Sequence, residues 1–250
     1  MNKLKPEDGL RVFDIRWETD TAGPSPNNNK RIEVFLLGCD KAISGNACKG
    51  CFNSVTWDKN KAEWSYDPIE LADMINSRCN EDNKYITIGG GEPTDQIEKL
   101  IPFVKRLKEY NFHILMYTWR SFKEIINKDN EIAISIYKDP IPFNKNFSRG
   151  FINNFKELLS NIDILIDGEF KQDECLYQQE LGDGMLSSIG SGNQIIWDIK
   201  LTNDNNCINV VPTYFGYRLD ELAGLYIKPD SKDLVYITKL DWSEYNRYEI

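Results

Sequence analysis

Apolar and polar positions along this chain fall into short blocks whose period changes repeatedly. Ile32–Gly38 (IEVFLLG) is an apolar run of buried-strand length, and it delivers the chain to Cys39. Asp67-Pro68-Ile69-Glu70 has the form of a helix start, with a capping acid, proline in the first turn and glutamate three residues after the cap. Ile69, Ala72 and Ile75 recur three apart, with Leu71 four before Ile75, which predicts a helix to about Cys79. Tyr85–Ile88 (YITI) predicts a strand cut off by the glycines Gly89–Gly91. Ile97, Leu100, Ile101, Val104 and Leu107 form the apolar stripe of a second helix, with Pro102 inside it as a candidate kink. His113–Thr118 predicts another strand, Ser121–Asn127 a helix, and Phe155–Leu159 part of a further helix. Ile162–Ile166 (IDILI) predicts a strand, followed by a turn at Asp167-Gly168.

Strands that alternate with helical stretches imply βαβ units, hence an α/β fold with a mainly parallel sheet. In such sheets chemistry sits at the carboxyl ends of the strands. The notable residues fall there: Cys39 and Gly89–Glu92 follow strands, Thr118 ends one, and Asp167 follows another. Three regions carry less pattern. Thr21–Asn29 is a polar Pro/Gly/Asn loop, and Lys128–Arg149 reads as a long irregular connection. The last fifty residues carry the apolar pieces Cys207–Val211 and Leu234–Thr238 without a placeable period. The expected division is a main domain over 1–200 and a C-terminal extension over 201–250.

Composition narrows the chemistry. The 250 residues suffice for one large domain or two small ones, and a chain of this size folds without disulfides. A formal charge of −9 argues against a protein held to nucleic acid by its overall field. The start has no apolar run of signal-peptide length and nothing downstream is long enough to span a bilayer, so a cytoplasmic location without membrane attachment is expected. His113 is the single histidine, which excludes sites needing several imidazoles, and it reads as a buried, hydrogen-bonded side chain. Six cysteines are present, and Cys39, Cys48 and Cys51 crowd into one short stretch. Thiols stay reduced in the cytosol, so this cluster reads as metal-binding or catalytic. Cys48-Lys49-Gly50-Cys51 is a C-x-x-C pair able to reach one metal or neighbouring irons, and Cys39 adds a third thiolate from a strand end. Three ligands leave one position open, which is what a reactive site needs. Cys79, Cys175 and Cys207 have no partner at such spacing and read as ordinary thiols.

The stretch FLLGC…CKGCFNSVTW resembles the cluster loop of radical S-adenosylmethionine (SAM) enzymes. More narrowly, it is similar to the activating enzymes of anaerobic ribonucleotide reductases. Asp14-Ile15-Arg16-Trp17, Gly90-Gly91-Glu92-Pro93, Tyr117-Thr118, Ile164–Phe170 (ILIDGEF) and Ser191-Gly192-Asn193-Gln194 extend the likeness over roughly residues 10–197. The resemblance implies a partial, open (β/α) radical SAM barrel. It further implies a [4Fe–4S] cluster on Cys39, Cys48 and Cys51, whose fourth iron takes the amino and carboxylate groups of SAM. Reductive cleavage of SAM would give a 5′-deoxyadenosyl radical that removes a hydrogen from a glycine of the partner reductase, with a flavodoxin or ferredoxin as electron donor. Gly50, Phe52, Asn53, Gly90, Gly91, Glu92, Thr118, Asp167 and Asn193 are the implied SAM-binding residues. The family spacing is C-x3-C-x2-C, whereas here eight residues separate Cys39 from Cys48. A polar, turn-forming insertion looped out at the surface accounts for this, since each doubling of loop length costs only about 0.6 kcal/mol.

Each residue also has an ordinary role open to it. The glycines suit a strand-to-loop turn, Glu92 a cap, Thr118 and Asp167 caps or turns, and Asn193 and Gln194 a turn. Trp57, Trp119 and Trp197 suit a core. Two rival functions are a radical SAM enzyme acting on a small molecule, as in 7-carboxy-7-deazaguanine synthase, and a cysteine-ligated electron carrier. An activase must also dock a large partner and admit its glycine loop to the cluster, so an exposed non-polar or mixed surface is expected on the open side of the barrel, at a place the sequence does not locate.

Overall fold

Strand and helix alternate as the periodicity predicts. In the computed structural model, residues 2–19, 30–80, 83–121, 148–174, 191, 194–199, 210–211, 225–227 and 234–236 are described. The elements in chain order are β1 (Lys3–Leu4), β2 (Val12–Thr19), β3 (Arg31–Leu36), β4 (Ser65–Tyr66), α1 (Pro68–Arg78), β5 (Tyr85–Gly90) and α2 (Ile97–Glu109). They continue as β6 (His113–Thr118), α3 (Arg149–Leu159), β7 (Ile164–Asp167), β8 (Ile195–Asp198), β9 (Val210–Val211), β10 (Leu225–Ile227) and β11 (Leu234–Tyr236).

A seven-stranded sheet runs in the order β2-β3-β5-β6-β7-β8-β9. Strands β3, β5, β6 and β7 are mutually parallel, and β2, β8 and β9 add antiparallel at the edges. The fold is therefore α/β with a mainly parallel centre. Each parallel crossover steps in the same direction across the sheet, and right-handed crossovers that never reverse stack their helices on one face. Accordingly α1 packs on α2 and α2 on α3. Between helices and sheet lies the core: Ile32, Val34, Leu36, Ile86, Ile88, Ile114, Met116 and Leu165 meet Leu71, Ile75, Leu100, Phe103, Val104, Leu107 and Phe155. Each such side chain contributes about 1.5–3 kcal/mol by leaving water.

Helix α1 starts where the capping signal puts it, with the Asp67 carboxylate accepting from the N–H groups of Ile69 and Glu70. Helix α2 passes Pro102 as one helix. Several expectations shift. The fifth strand runs on through Gly89 and Gly90, and β7 begins at Ile164 and includes Asp167, which the turn reading put outside it. Strand β2 was not legible because register breaks near Val12/Asp14 and Arg16/Thr19 interrupt its alternation. Val210–Val211 closes the sheet beside β8, and β11 pairs with β10 as a hairpin. The expected helix at 121–127, but for Ser121, the loop at 21–29, and the connection at 128–149, apart from its last two residues, lie outside the described residues.

Charged side chains buried at the amino end of the sheet knit it to itself. Arg31 is 1% exposed and donates to Thr87 Oγ1 at 2.7 Å and Ile86 O at 2.5 Å, with His113 Nδ1 at 3.4 Å. Asp163 accepts from the Ile114 N–H at 2.7 Å and from Lys108 Nζ at 2.8 Å. Burial, with Arg31 adding repulsion, pulls the His113 imidazole down to about 3, so it stays neutral, although the residue is half-buried at the start of β6 rather than fully buried as expected.

Candidate functional site

Sheet register brings the residues singled out from the sequence to one level. Leu36 pairs with Gly90, Thr118 pairs with Asp167, and Gly90 and Thr118 each stand two residues past the paired Ile88 and Met116. The carboxyl ends of four parallel strands thus share one rim. Thr118 and Asp167 are buried there.

The glycine turn of β5 lies directly on the root of the cysteine loop. Gly91 N–H donates to Leu36 O at 2.9 Å and Glu92 N–H to Gly38 O at 2.7 Å. A Cβ on Gly91 would stand 2.1 Å from Gly38 O, and Gly90 has φ +105° with Leu36 backbone 2.4 Å from where its Cβ would be. Only a glycine backbone permits that approach. The loop is then fastened on its other side, with Gly38 N–H donating to Thr56 O and Cys39 N–H to Trp57 O. Asn53 O accepts from both the N–H and the hydroxyl of Thr56. The extra residues between Cys39 and Cys48 form a π-helical turn, Ala42–Asn46, with Gly45 at φ 84°. Ile43–Asn46 are exposed, as the looped-out reading requires.

Cys39, Cys48 and Cys51 all carry free thiols. Cys39 sits on the glycine-turn side. Burial pushes its thiol up to about 11, and the negative charges of Glu92, Asp95 and Cys48 act in the same direction. Cys48 faces the exit of β7. Burial raises it first and Glu169 second, while Lys41 and the Phe170 backbone oppose them. Cys51 also acts on Cys48, so Cys48 lies within electrostatic reach of each of the other two thiols. Lys41 Nζ pairs with Glu169 at 2.9 Å, tying the insertion to the segment after β7. Gly50 abuts the Gln172 side chain, and Phe52 is 71% exposed with its ring 4.7 Å from Phe170. Ile43 and Val55 are exposed on the same stretch.

Glu92 is fully buried and its carboxylate is saturated from within. Oε1 accepts from Thr94 N–H, Thr94 Oγ1 and Thr118 Oγ1, and Oε2 accepts from Trp119 N–H at 3.0 Å. Thr118 accepts in turn from Arg120 N–H. Sequence reasoning missed two groups here. Asp95 accepts from Asp40 N–H at 2.6 Å and from Arg120 Nη2 at 2.8 Å. Gln96 accepts from Arg11 N–H and donates to Leu37 O. Nothing local marks Asp95, because its partner lies 55 residues earlier. On the far side, Gln194 Nε2 donates to Gly168 O and Lys171 N–H donates to Ser191 Oγ, so this run braces the turn after β7. Asn193 lies outside the described residues.

Among the described residues, no group of three His, Cys, Asp or Glu side chains is drawn tightly enough to hold a single ion. A cluster takes each thiolate on a different iron and asks for a wider set. Three free thiols fit such a group, because soft sulfur donors select iron–sulfur clusters over hard cations. Glycine backbone beside Cys39 lets the end of β5 lie directly against the cysteine loop.

The fold and rim define an α/β protein with a three-thiol loop at the carboxyl edge of its parallel strands. The chain belongs to the family described as 4Fe-4S single cluster domain, which it matches over residues 28–197. It is 27% identical over 177 residues to an anaerobic ribonucleoside-triphosphate reductase-activating protein of Haemophilus influenzae, covering 68% of this chain and 89% of that protein. Proteins of the same name from Pasteurella multocida and Vibrio cholerae are 26% and 23% identical, over 67% and 66% of this chain and 86% of each. No helix among the described residues is long and apolar enough to cross a membrane.

Proposed function

We propose that this protein is a radical SAM enzyme of the oxidoreductase class that generates the glycyl radical of an anaerobic ribonucleoside-triphosphate reductase. The observation that carries the reading is the attachment of the Cys39 loop to the glycine turn of β5, through Glu92 N–H to Gly38 O and Gly91 N–H to Leu36 O. It joins the two segments that a cluster with one vacant iron and an amino-acid ligand would share. Cys39, Cys48 and Cys51 hold the cluster. When bound, the reduced cluster would supply the one electron that breaks a carbon–sulfur bond of SAM, leaving methionine and a 5′-deoxyadenosyl radical.

The chain's own residues provide position and shelter. Gly90 and Gly91 bring the end of β5 against the Cys39 loop and would hold the SAM amino group there, and Glu92 and Thr118 act by fixing that backbone, since their oxygens are engaged with one another. Gly50, Phe52, Asn53, Asp167 and Asn193 complete the rim around the nucleoside. One-sided helix stacking supports an open (β/α) barrel whose uncovered face admits a protein loop, and exposed Ile43, Phe52 and Val55 support docking beside the cluster. A flavodoxin- or ferredoxin-type protein delivers the electron, and the setting is the cytoplasm.

The test is anaerobic reconstitution with iron and sulfide, then addition of SAM, dithionite and a reductase. The expected result is four irons per chain, 5′-deoxyadenosine, and a glycyl radical on the reductase by electron paramagnetic resonance (EPR). 5′-Deoxyadenosine formed only with a small substrate would favour the 7-carboxy-7-deazaguanine-type reading. Iron without SAM cleavage would favour an electron carrier.

A further inference from the structure

Two buried side chains that no motif marks, Asp95 and Arg120, connect the cysteine loop to the rest of the rim. Asp95 is almost wholly buried, 3% exposed at the side chain, and its two oxygens serve two different segments. Oδ2 accepts from the N–H of Asp40, the residue after Cys39, at 2.6 Å. Oδ1 accepts from Arg120 Nη2 at 2.8 Å. The other arm of that guanidinium donates to Thr94 Oγ1 at 2.9 Å and lies 3.5 Å from Glu92 Oε1. Arg120 also lies over Trp119, 4.5 Å from the ring centroid, with Phe151 at 5.4 Å. The path from the peptide after Cys39 to the ends of β5 and β6 is thus one run of charge-assisted hydrogen bonds, exposed at Asp40 and buried at Asp95.

The geometry points to Asp95, anchored by Arg120, as a positioning residue for the cluster: it fixes the peptide that follows Cys39 and so the direction from which that thiolate reaches iron. The inference rests on the cluster reading above. Its physical basis is that Cys39 sits on a long loop, eight residues from the next cysteine, and cannot borrow rigidity from the C-x-x-C pair. A buried ionised acceptor shared between a backbone N–H and an arginine fork supplies that rigidity. Groups that orient metal ligands in this way are worth about 10–100-fold in metal affinity.

The experiment compares Asp95→Asn and Arg120→Gln with Asp163→Asn, which weakens a partly buried ion pair with a buried carboxylate at the opposite end of the sheet. In the metal-free proteins, amide hydrogen exchange across residues 39 and 40 should speed up in Asp95→Asn and Arg120→Gln and stay at the wild-type rate in Asp163→Asn. In the reconstituted proteins, iron should pass to a chelator at least ~10-fold faster from Asp95→Asn and Arg120→Gln than from wild type, with Asp163→Asn within about twofold. The double variant should lose iron no faster than either single one, because the two residues act as a unit. Equal iron loss from Asp95→Asn and Asp163→Asn would assign Asp95 a merely structural role and overturn the proposal. So would unchanged exchange at residues 39 and 40. A wild-type protein that takes up no iron, with the exchange difference present, would overturn the cluster reading while leaving Asp95 as the anchor of this loop.

Discussion

At the amino end of the parallel strands buried charge closes on the sheet itself, whereas at the carboxyl end it reaches outward to hold loops. Arg31 and Asp163 spend their hydrogen bonds on Ile86 O, Thr87, Ile114 N–H and Lys108, all within the sheet or the helix laid on it. Glu92, Asp95 and Gln96 spend theirs on Thr118 at the end of β6 and on Thr94, Trp119, Asp40, Arg11 and Leu37, which lie outside the sheet. Both ends bury ions that demand partners. What differs is what each set immobilises: strand against strand at one end, the surroundings of three thiols at the other. A lesion at the amino end should therefore cost stability, and one at the carboxyl end should cost the metal site.

The largest separation should come from the cysteines. Changing Cys39, Cys48 or Cys51 to alanine should abolish a stable four-iron cluster, read as iron and sulfide per chain, with folding unharmed; retention of full iron by Cys39→Ala would break the comparison. Next in size, Asp163→Ala should lower unfolding stability by about 3–5 kcal/mol, because Lys108 and Ile114 N–H lose a buried acceptor together. Urea titration checks it, with iron content unchanged after reconstitution. Gly91→Ala should do the reverse, costing roughly 1–3 kcal/mol but most of the iron, since its Cβ would displace Gly38.

Acidity sharpens the contrast further. His113 is pulled down to about 3 by burial and by Arg31, with Asp163 opposing and Lys108 reinforcing, so between pH 6.5 and 3 the unfolded chain binds a proton that the folded one refuses. Its contribution to stability is present above pH 6.5 and is lost as pH falls. Asp95 does the opposite. Burial, then Glu92, pushes it up to about 6 against the tempering of Asp40 N–H and Arg120, so between pH 6 and the ordinary 3.8 the folded state holds the extra proton. Its contribution grows as pH falls through that window. Relative to wild type, His113→Phe should therefore gain stability on acidification from pH 6 to 4, and Asp95→Asn should lose it, each by roughly 1 kcal/mol per pH unit. Parallel slopes in the two variants would contradict the assignment. The smallest effect belongs to Phe52→Ser, which should shift stability by less than about 0.5 kcal/mol, since the ring is largely in water. Its cost should appear in glycyl-radical yield on the reductase, measured by EPR.

Much of this arrangement was legible in the chain itself. The Asp67 cap, the stripe of α2 and the runs that became β3, β5 and β6 are local signals, and local hydrogen bonding and periodicity decide them. The cysteine trio and the glycine turn were legible because their chemistry depends on residue type and short spacing. Strand β2 was not, because bulges spoil its period, and Asp167 moved from turn to strand because pairing with Thr118 and Ile195 prolongs β7. Asp95 and Arg120 were illegible for a different reason. Each is an ordinary polar residue near a turn, and its meaning arises only from neighbours brought close by the sheet.

What the order of residues settled alone is the inventory: which stretches bury a face, where three thiols gather, and which polar and glycine residues fall at the strand ends. What only three dimensions decided is the bracing, namely which carboxylate holds which peptide. Periodicity and capping act over one or two turns of chain, whereas the Asp40–Asp95 contact spans 55 residues and exists only once parallel strands have set β3 and β5 side by side.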